Sequence, residues 1–346
     1  MEMRPLGRTG VSVSVQCLGA MMFGAWGNLD HDECIRIIHR ALDAGINFVD
    51  TADGYSAGES EEIVGKALKG RRDDVVLATK VHFPMGRGPN ERGNSRLWIM
   101  REVEHSLRRL DTDHIDLYQI HRPDPGTDIE ETLGALTDLV RQGKVRYLGS
   151  STFRGWQIVE AQWAADRRSL ERFVCEQPPY SIFARHVEDD VFPVTQRYGM
   201  GAIVWSPLSG GWLTGKYRRG VEPDEDSRFV RVKRFNPRTA DRFNLEREGN
   251  RRKLDLVEEL ALLADKAGHS LTHMSLAFSV AHPAVTSAII GPRTMAQLDD
   301  LLAAAETNLD ADTLDAIDDI APPGSVVEQA DTGWDAPWLA RDARRR

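Results

Sequence analysis

The chain has 346 residues, 41% of them hydrophobic, and a formal charge of −9, enough for a substantial core in one domain. The acidic balance is relieved only by short arginine runs such as Arg344 to Arg346, which speaks against a nucleic-acid partner. The opening MEMRPLGRTG and the lack of any apolar run near the roughly 18 residues of a spanning helix, with three scattered cysteines, Cys17, Cys34 and Cys175, predict a soluble cytoplasmic protein with reduced thiols, no membrane association and no metal site.

In chain order, RPLGRTGVSVS places a Gly-Arg-Thr-Gly turn between short runs and predicts a hairpin that closes the bottom of a barrel. Eight β-rich runs follow: residues 15–20, 46–50, 75–80, 115–120, 145–150, 173–177, 202–206 and 286–290. Segments with helical spacing separate them, such as 31–45 with Ile35, Ile38 and Leu42 on one face, and 128–143. Near-continuous apolar strands alternating with helices fit a parallel sheet covered on its outside. A doubly wound sheet would share that alternation, but no strand precedes G-x-G-x-x-G and the polar residues of interest end several different strands. The expected fold is therefore a (β/α)8 barrel in a single domain over 1–346, with a charged cover loop at about 217–250 and a tail at about 323–346 carrying Trp334 and Trp338.

Strand ends carry the chemistry. Asp50 ends the second run and Tyr55 lies five residues on, Lys80 ends the third, and His121 follows the fourth. In a barrel these ends face one central space. A tyrosine hydroxyl, with a pKa near ~10, needs a cation to act as an acid at neutral pH. Lys80 is expected to lower it, Asp50 to hold Lys80 charged and oriented, and His121 to position a substrate oxygen. Each residue alone has an ordinary structural use; the four together at successive strand ends do not read that way.

Those residues sit in the blocks DTADGY, LATK and LYQIH, which are followed by LGSSTF, EQPPYS, WSPLSGGWLTGKY and IIGPRTMAQLDD and with the hairpin cover nearly the whole chain. In that set and order the chain resembles the aldo-keto reductases, including the branch that contains channel β subunits. The resemblance implies reduction of aldehydes or ketones with NADPH, expected over NADH, and a tetrad of Asp50, Tyr55, Lys80 and His121. It further implies that Gly19, Met21, Asp50, Ser151, Thr152 and Gln177 lie at the cofactor, the last three holding the carboxamide of a nicotinamide stacked on Trp205. Ser206, Leu208, Gly210 and Lys216 would line its pyrophosphate, and Gly291, Arg293, Gln297 and Asp300, with Arg228, its adenosine 2′-phosphate. Thr152 and Leu301 stand where many members carry asparagine. Trp26, Phe83 and Met85, with either Trp212 or the tail tryptophans Trp334 and Trp338, are expected to wall the pocket of a small carbonyl substrate. A nucleotide-sensing regulatory subunit and an NAD-linked alcohol or sugar dehydrogenase are the alternatives, and a homo-oligomer is open to any of the three.

Overall fold

The computed structural model describes residues 1–225, 227–235 and 240–345; Asp226 and 236–239, inside the expected cover loop, and Arg346, at the end of the tail, lie outside the described residues. The chain folds into two compact units, one of Met1–Pro178, Asp190–Trp205 and Val280–Glu306, the other of Pro179–Asp189, Ser206–Ser279 and Thr307–Arg346.

In the first unit, strands β1 (Met3–Pro5) and β2 (Ser12–Ser14) form the antiparallel hairpin. Eight parallel strands then close a barrel: β3 (Gln16–Gly19), β4 (Phe48–Asp50), β5 (Val76–Val81), β6 (Ile115–Ile120), β7 (Val145–Ser151), β8 (Phe173–Gln177), β9 (Gly201–Val204) and β10 (Val285–Ile290). They match the eight runs read from the sequence to within two residues at each end, as near-continuous apolar runs do when both faces are covered.

The barrel interior is layered. Cys17, Phe48, Ala78, Leu117, Cys175 and Ile203 form a buried apolar cluster that Leu6 and Val13 of the hairpin join, so the hairpin stoppers the N-terminal end as expected. Gly149 belongs to this layer, because a Cβ there would lie 2.8 Å from Cys175 Sγ and 3.0 Å from Gln119 Cγ. Two residues further along each strand the side chain returns to the same face, and the next layer is polar: Asp50, Lys80, Gln119, Ser151 and Gln177. Ladder register places Lys80 opposite Gln119 and Ser151 opposite Gln177.

Helices cover the outside. His31–Asp43 starts at Asp30, whose side chain accepts from Glu33 N. It buries Cys34, Ile37, Ile38 and Ala41, a stripe rotated from the expected Ile35, Ile38 and Leu42; both sets have helical spacing, and the smaller Cys34 and Ala41 face inward. Ile129–Arg141 is capped by Asp128. In the second unit the charged stretch after Tyr217 carries a helix, Arg228–Phe235, and a turn of 3-10 helix, Asp241–Phe243. The three cysteines are free and buried. Among the described residues no helix is long and apolar enough to cross a membrane and no cluster of potential metal ligands occurs.

Candidate active site

The polar layer converges on Lys80. Lys80 is 0% and Asp50 2% exposed, and burying either charge alone would be strongly unfavourable. Lys80 Nζ donates to Asp50 Oδ1, to the Thr51 carbonyl at 2.8 Å and to the Tyr55 hydroxyl at 3.3 Å. Asp50 Oδ2 accepts from Gln119 Nε2 at 3.0 Å and Gln177 Nε2 at 2.9 Å. Burial pushes the Lys80 pKa down, but Asp50 and Tyr55 push it up further, so the ammonium titrates above the ordinary lysine value and remains charged at neutral pH.

Tyr55 opens a tight turn after β4 in which Ser56 and Ala57 take left-handed backbone angles. Its half-buried ring stands at 5.6 Å from that of His121 and 6.0 Å from Trp26, centroid to centroid. Burial raises its pKa above the tyrosine value. Lys80 pulls it down, as expected, without overcoming that burial. His121 is buried, and burial together with Arg122, Lys80 and His82 holds its pKa well below the usual value, so the imidazole is neutral. Its Nδ1 is buried with no hydrogen-bond partner among the described residues. Phe83 stacks edge-on to His121 at 4.7 Å.

Beside this group Ser151 Oγ donates to the Gln177 carbonyl at 2.9 Å, and Thr152 N to the same oxygen at 3.2 Å. Thr152 has φ of +62°, a region that a β-branched residue strongly disfavours and asparagine tolerates. Behind the turn lies Glu176, fully buried, accepting from the Ser150 hydroxyl and from Phe153 N at 3.1 Å. Burial pushes its carboxyl up to about 8, against the lowering effect of those donors.

The sequence of the family described as the Aldo/keto reductase family matches residues 17–322. The chain belongs to the aldo/keto reductase family. Among its relatives it is 42% identical over 342 residues, 95% of this chain and 99% of the other, to a Bacillus subtilis protein named an uncharacterized oxidoreductase, YrpG. It is 35% identical over 306 residues to the aldo-keto reductase YhdN of the same organism, covering 87% of this chain and 88% of that one. An Arabidopsis thaliana protein named a probable voltage-gated potassium channel subunit beta is 38% identical over 318 residues, 88% of this chain and 92% of that one.

As a member of this family of oxidoreductases, the chain brings together the four strand-end residues expected from its sequence. The other expected positions divide. Trp205 follows β9 directly, and the Arg122 guanidinium lies 5.7 Å from its ring centroid and 5.7 Å from that of Phe83. Gly19 ends β3, where a Cβ would meet Ile289 Cγ2 at 2.5 Å, so close packing alone accounts for the glycine. Met21 lies in the turn after it, and Met85 in the loop after β5 with its amide bonded to the Glu91 carbonyl at 3.0 Å. Gly291 faces open space; Arg293 N donates to Gln297 Oε1 at 2.8 Å ahead of helix Met295–Ala303, which Thr294 caps and on which Asp300 is exposed. Leu301, buried, turns to the core, where its carbonyl accepts from Gln16 Nε2 at 2.7 Å.

In the second unit, Ser206, Leu208 and Gly210 lead a tight loop in which Ser206 and Gly210 have positive φ, and Lys216 extends along the Tyr217 ring at 5.3 Å. Arg228 begins helix Arg228–Phe235. Trp212, expected to wall the substrate pocket, is instead 1% exposed, stacked on Phe243 and edge-on to Tyr217: its indole belongs to the core of this unit. Trp334 and Trp338 pack on each other.

Two residues of the site were missed in the sequence. Gln119 is the polar member of an otherwise apolar strand core, two positions before His121, and period-2 register would have placed it inside. Arg122 follows His121 and gave no signal, because only the fold brings it over the rings of Phe83 and Trp205.

Proposed function

We propose that this oxidoreductase reduces aldehydes or ketones with NADPH, Tyr55 donating the proton. The observation that carries the reading is the buried Asp50–Lys80 pair with its ammonium 3.3 Å from the Tyr55 hydroxyl, beside a neutral imidazole. The chemistry that a bound reduced nicotinamide supplies is a hydride for the carbonyl carbon. Tyr55 releases its proton to the carbonyl oxygen as the charge develops there, and Lys80 stabilises the resulting phenolate. Asp50 keeps Lys80 charged and aimed. His121, neutral, holds the carbonyl oxygen through a ring N–H, and Trp26 and Phe83 supply apolar walls.

The residues present suit the dinucleotide. The amide nitrogen of Gln177 is used within the barrel, by Asp50 and by Gln119 Oε1 at 3.0 Å, which leaves its oxygen to accept from a carboxamide, next to the hydroxyls of Ser151 and Thr152. Arg293, near a helix N-terminus with Gln297, suits a 2′-phosphate, which favours NADPH over NADH. Oxidation of NADPH by a panel of aldehydes, dicarbonyls and quinones tests the reading. Turnover that vanishes in Tyr55→Phe while the cofactor still binds is the expected result; undiminished turnover in that variant removes Tyr55 from its role.

The identity to a potassium channel β subunit favours one second reading, a nucleotide-binding regulatory subunit. Tight cofactor binding with no turnover across the panel would select it.

A further inference from the structure

The second unit contains a buried charged cluster for which neither the reductase chemistry nor the sequence motifs give a reason. Asp331, in the C-terminal segment, is 1% exposed. Its Oδ1 accepts from Arg242 Nε at 2.8 Å and its Oδ2 pairs with Lys253 Nζ at 2.6 Å. Both cations are buried, and Lys253 also donates to Asn250 Oδ1 at 3.0 Å and lies 5.3 Å from the centroid of the Trp212 ring. Glu328, one turn before Asp331, accepts from Arg247 Nε at 2.9 Å and from Ala330 N, and so fastens the same segment. A buried ion pair is weak evidence of stabilisation, because apolar side chains of similar volume often do as well, which leaves the orientation of its members as the role to test.

What this cluster holds is the far end of Arg242, whose Nη2 donates to Ser206 Oγ at 3.1 Å. Ser206 has φ of +62°, and its carbonyl accepts from Ser209 N at 2.8 Å, so a non-glycine residue is kept left-handed at the first position of the loop. With one lone pair of the hydroxyl occupied by the guanidinium, its O–H is turned away from Arg242 and polarised by the positive charge, which makes it a stronger donor to an anion. The rest of the loop is braced by the same element: Trp212 Nε1 donates to the Arg242 carbonyl at 3.2 Å, and Phe243 stands 3.0 Å from where a Gly210 Cβ would be.

We infer that Arg242, oriented by Asp331, is a positioning residue for cofactor phosphate: it presents the Ser206 hydroxyl to the pyrophosphate and adds positive potential beneath it. The inference rests on the reading that this protein binds a nicotinamide dinucleotide phosphate. The C-terminal segment then acts on cofactor affinity at a distance, through one carboxylate.

The test is calorimetric binding of NADPH, inorganic pyrophosphate and adenosine 2′-monophosphate to the full chain and to Arg242→Lys, Arg242→Gln, Asp331→Asn and Ser206→Ala, each with its far-ultraviolet circular dichroism recorded. Arg242→Gln is expected to weaken NADPH about 10- to 100-fold and pyrophosphate in step, with the 2′-monophosphate unchanged, a pattern that general loosening of the fold does not produce. Arg242→Lys recovers part of the loss, and Asp331→Asn reproduces part of it with Arg242 intact. Once Ser206 is alanine, Arg242→Gln should have only a small further effect. Should Arg242→Gln not fold, Asp331→Asn and Ser206→Ala carry the comparison. Folded variants that bind NADPH and pyrophosphate as the parent does overturn the inference and leave the reductase reading standing. A parent chain that binds no NADPH overturns both.

Discussion

Asp50→Asn changes one buried atom and no volume, so its cost can be worked from hydrogen bonds and charge alone. The carboxylate takes Lys80 on one oxygen and the amides of Gln119 and Gln177 on the other. An asparagine side chain has a single acceptor oxygen. If it faces Lys80, its NH2 opposes two N–H donors; if it faces the glutamines, its NH2 opposes an ammonium. In either case Lys80, fully buried, loses its counter-charge, and breaking a buried pair from one side costs about 3–5 kcal/mol. Burial, no longer opposed by Asp50, then drives the lysine toward neutrality, and Tyr55 loses the cation that pulls its pKa down. Urea unfolding at pH 7 should show that loss. The double variant with Lys80→Met, which removes the stranded charge, should be less destabilised than the sum of the two single variants by about 2 kcal/mol or more. A loss under about 1 kcal/mol for Asp50→Asn, or additive single variants, would refute the claim that this pair is the electrostatic centre of the barrel.

Thr152→Asn should relieve a left-handed β-branched residue and raise stability by about 1 kcal/mol, read from the shift of the urea midpoint; destabilisation would mean that the methyl group's packing outweighs the strain. Arg293→Ala should weaken NADPH by about 1–3 kcal/mol more than NADH in parallel fluorescence titrations, and equal losses would exclude it as a reader of the 2′-phosphate. Glu176, protonated in the native state up to about pH 8 but ionised in the unfolded chain above its ordinary 4.5, makes the native state bind more protons between those values. Stability from this group is therefore greatest at low pH and falls as pH rises from about 4.5 to about 8. Across pH 5 to 8 the parent should lose roughly 3.5 kcal/mol relative to Glu176→Gln; matching pH profiles for the two proteins would show that Glu176 is ionised when folded.

The barrel was legible because parallel strands covered on both faces must be written as apolar runs, and the tetrad because strand ends in a barrel share one mouth. The hairpin showed through its Gly-Arg-Thr-Gly turn. Where two sets of apolar side chains on one helix share helical spacing, periodicity left the choice open, as the Cys34–Ala41 stripe shows. Trp212 reads as a pocket wall when its neighbours are the glycines of a loop; only Phe243 and Tyr217 reveal it as core. The contacts hardest to foresee join distant segments: Gln177 to Asp50 spans 127 residues and Arg242 to Asp331 spans 89. Such pairs leave no local pattern, since charged residues in a polar stretch look alike whether they end in solvent or beneath a loop.

The stopper at the N-terminal end of the barrel also supplies a clock. Cys17 and Cys175 lie inside the closed ring of strands under Leu6 and Val13, and burial holds both thiols well above the ordinary cysteine range, so a thiol reagent can reach them only when strands part. Cys34 lies outside the ring, on the buried face of helix His31–Asp43, with its thiol pushed up to about 11. Its labelling should track the lifting of one helix, while labelling of the inner pair times the breathing of the barrel itself, so that the three native cysteines together grade motions of this protein from local fraying to global opening.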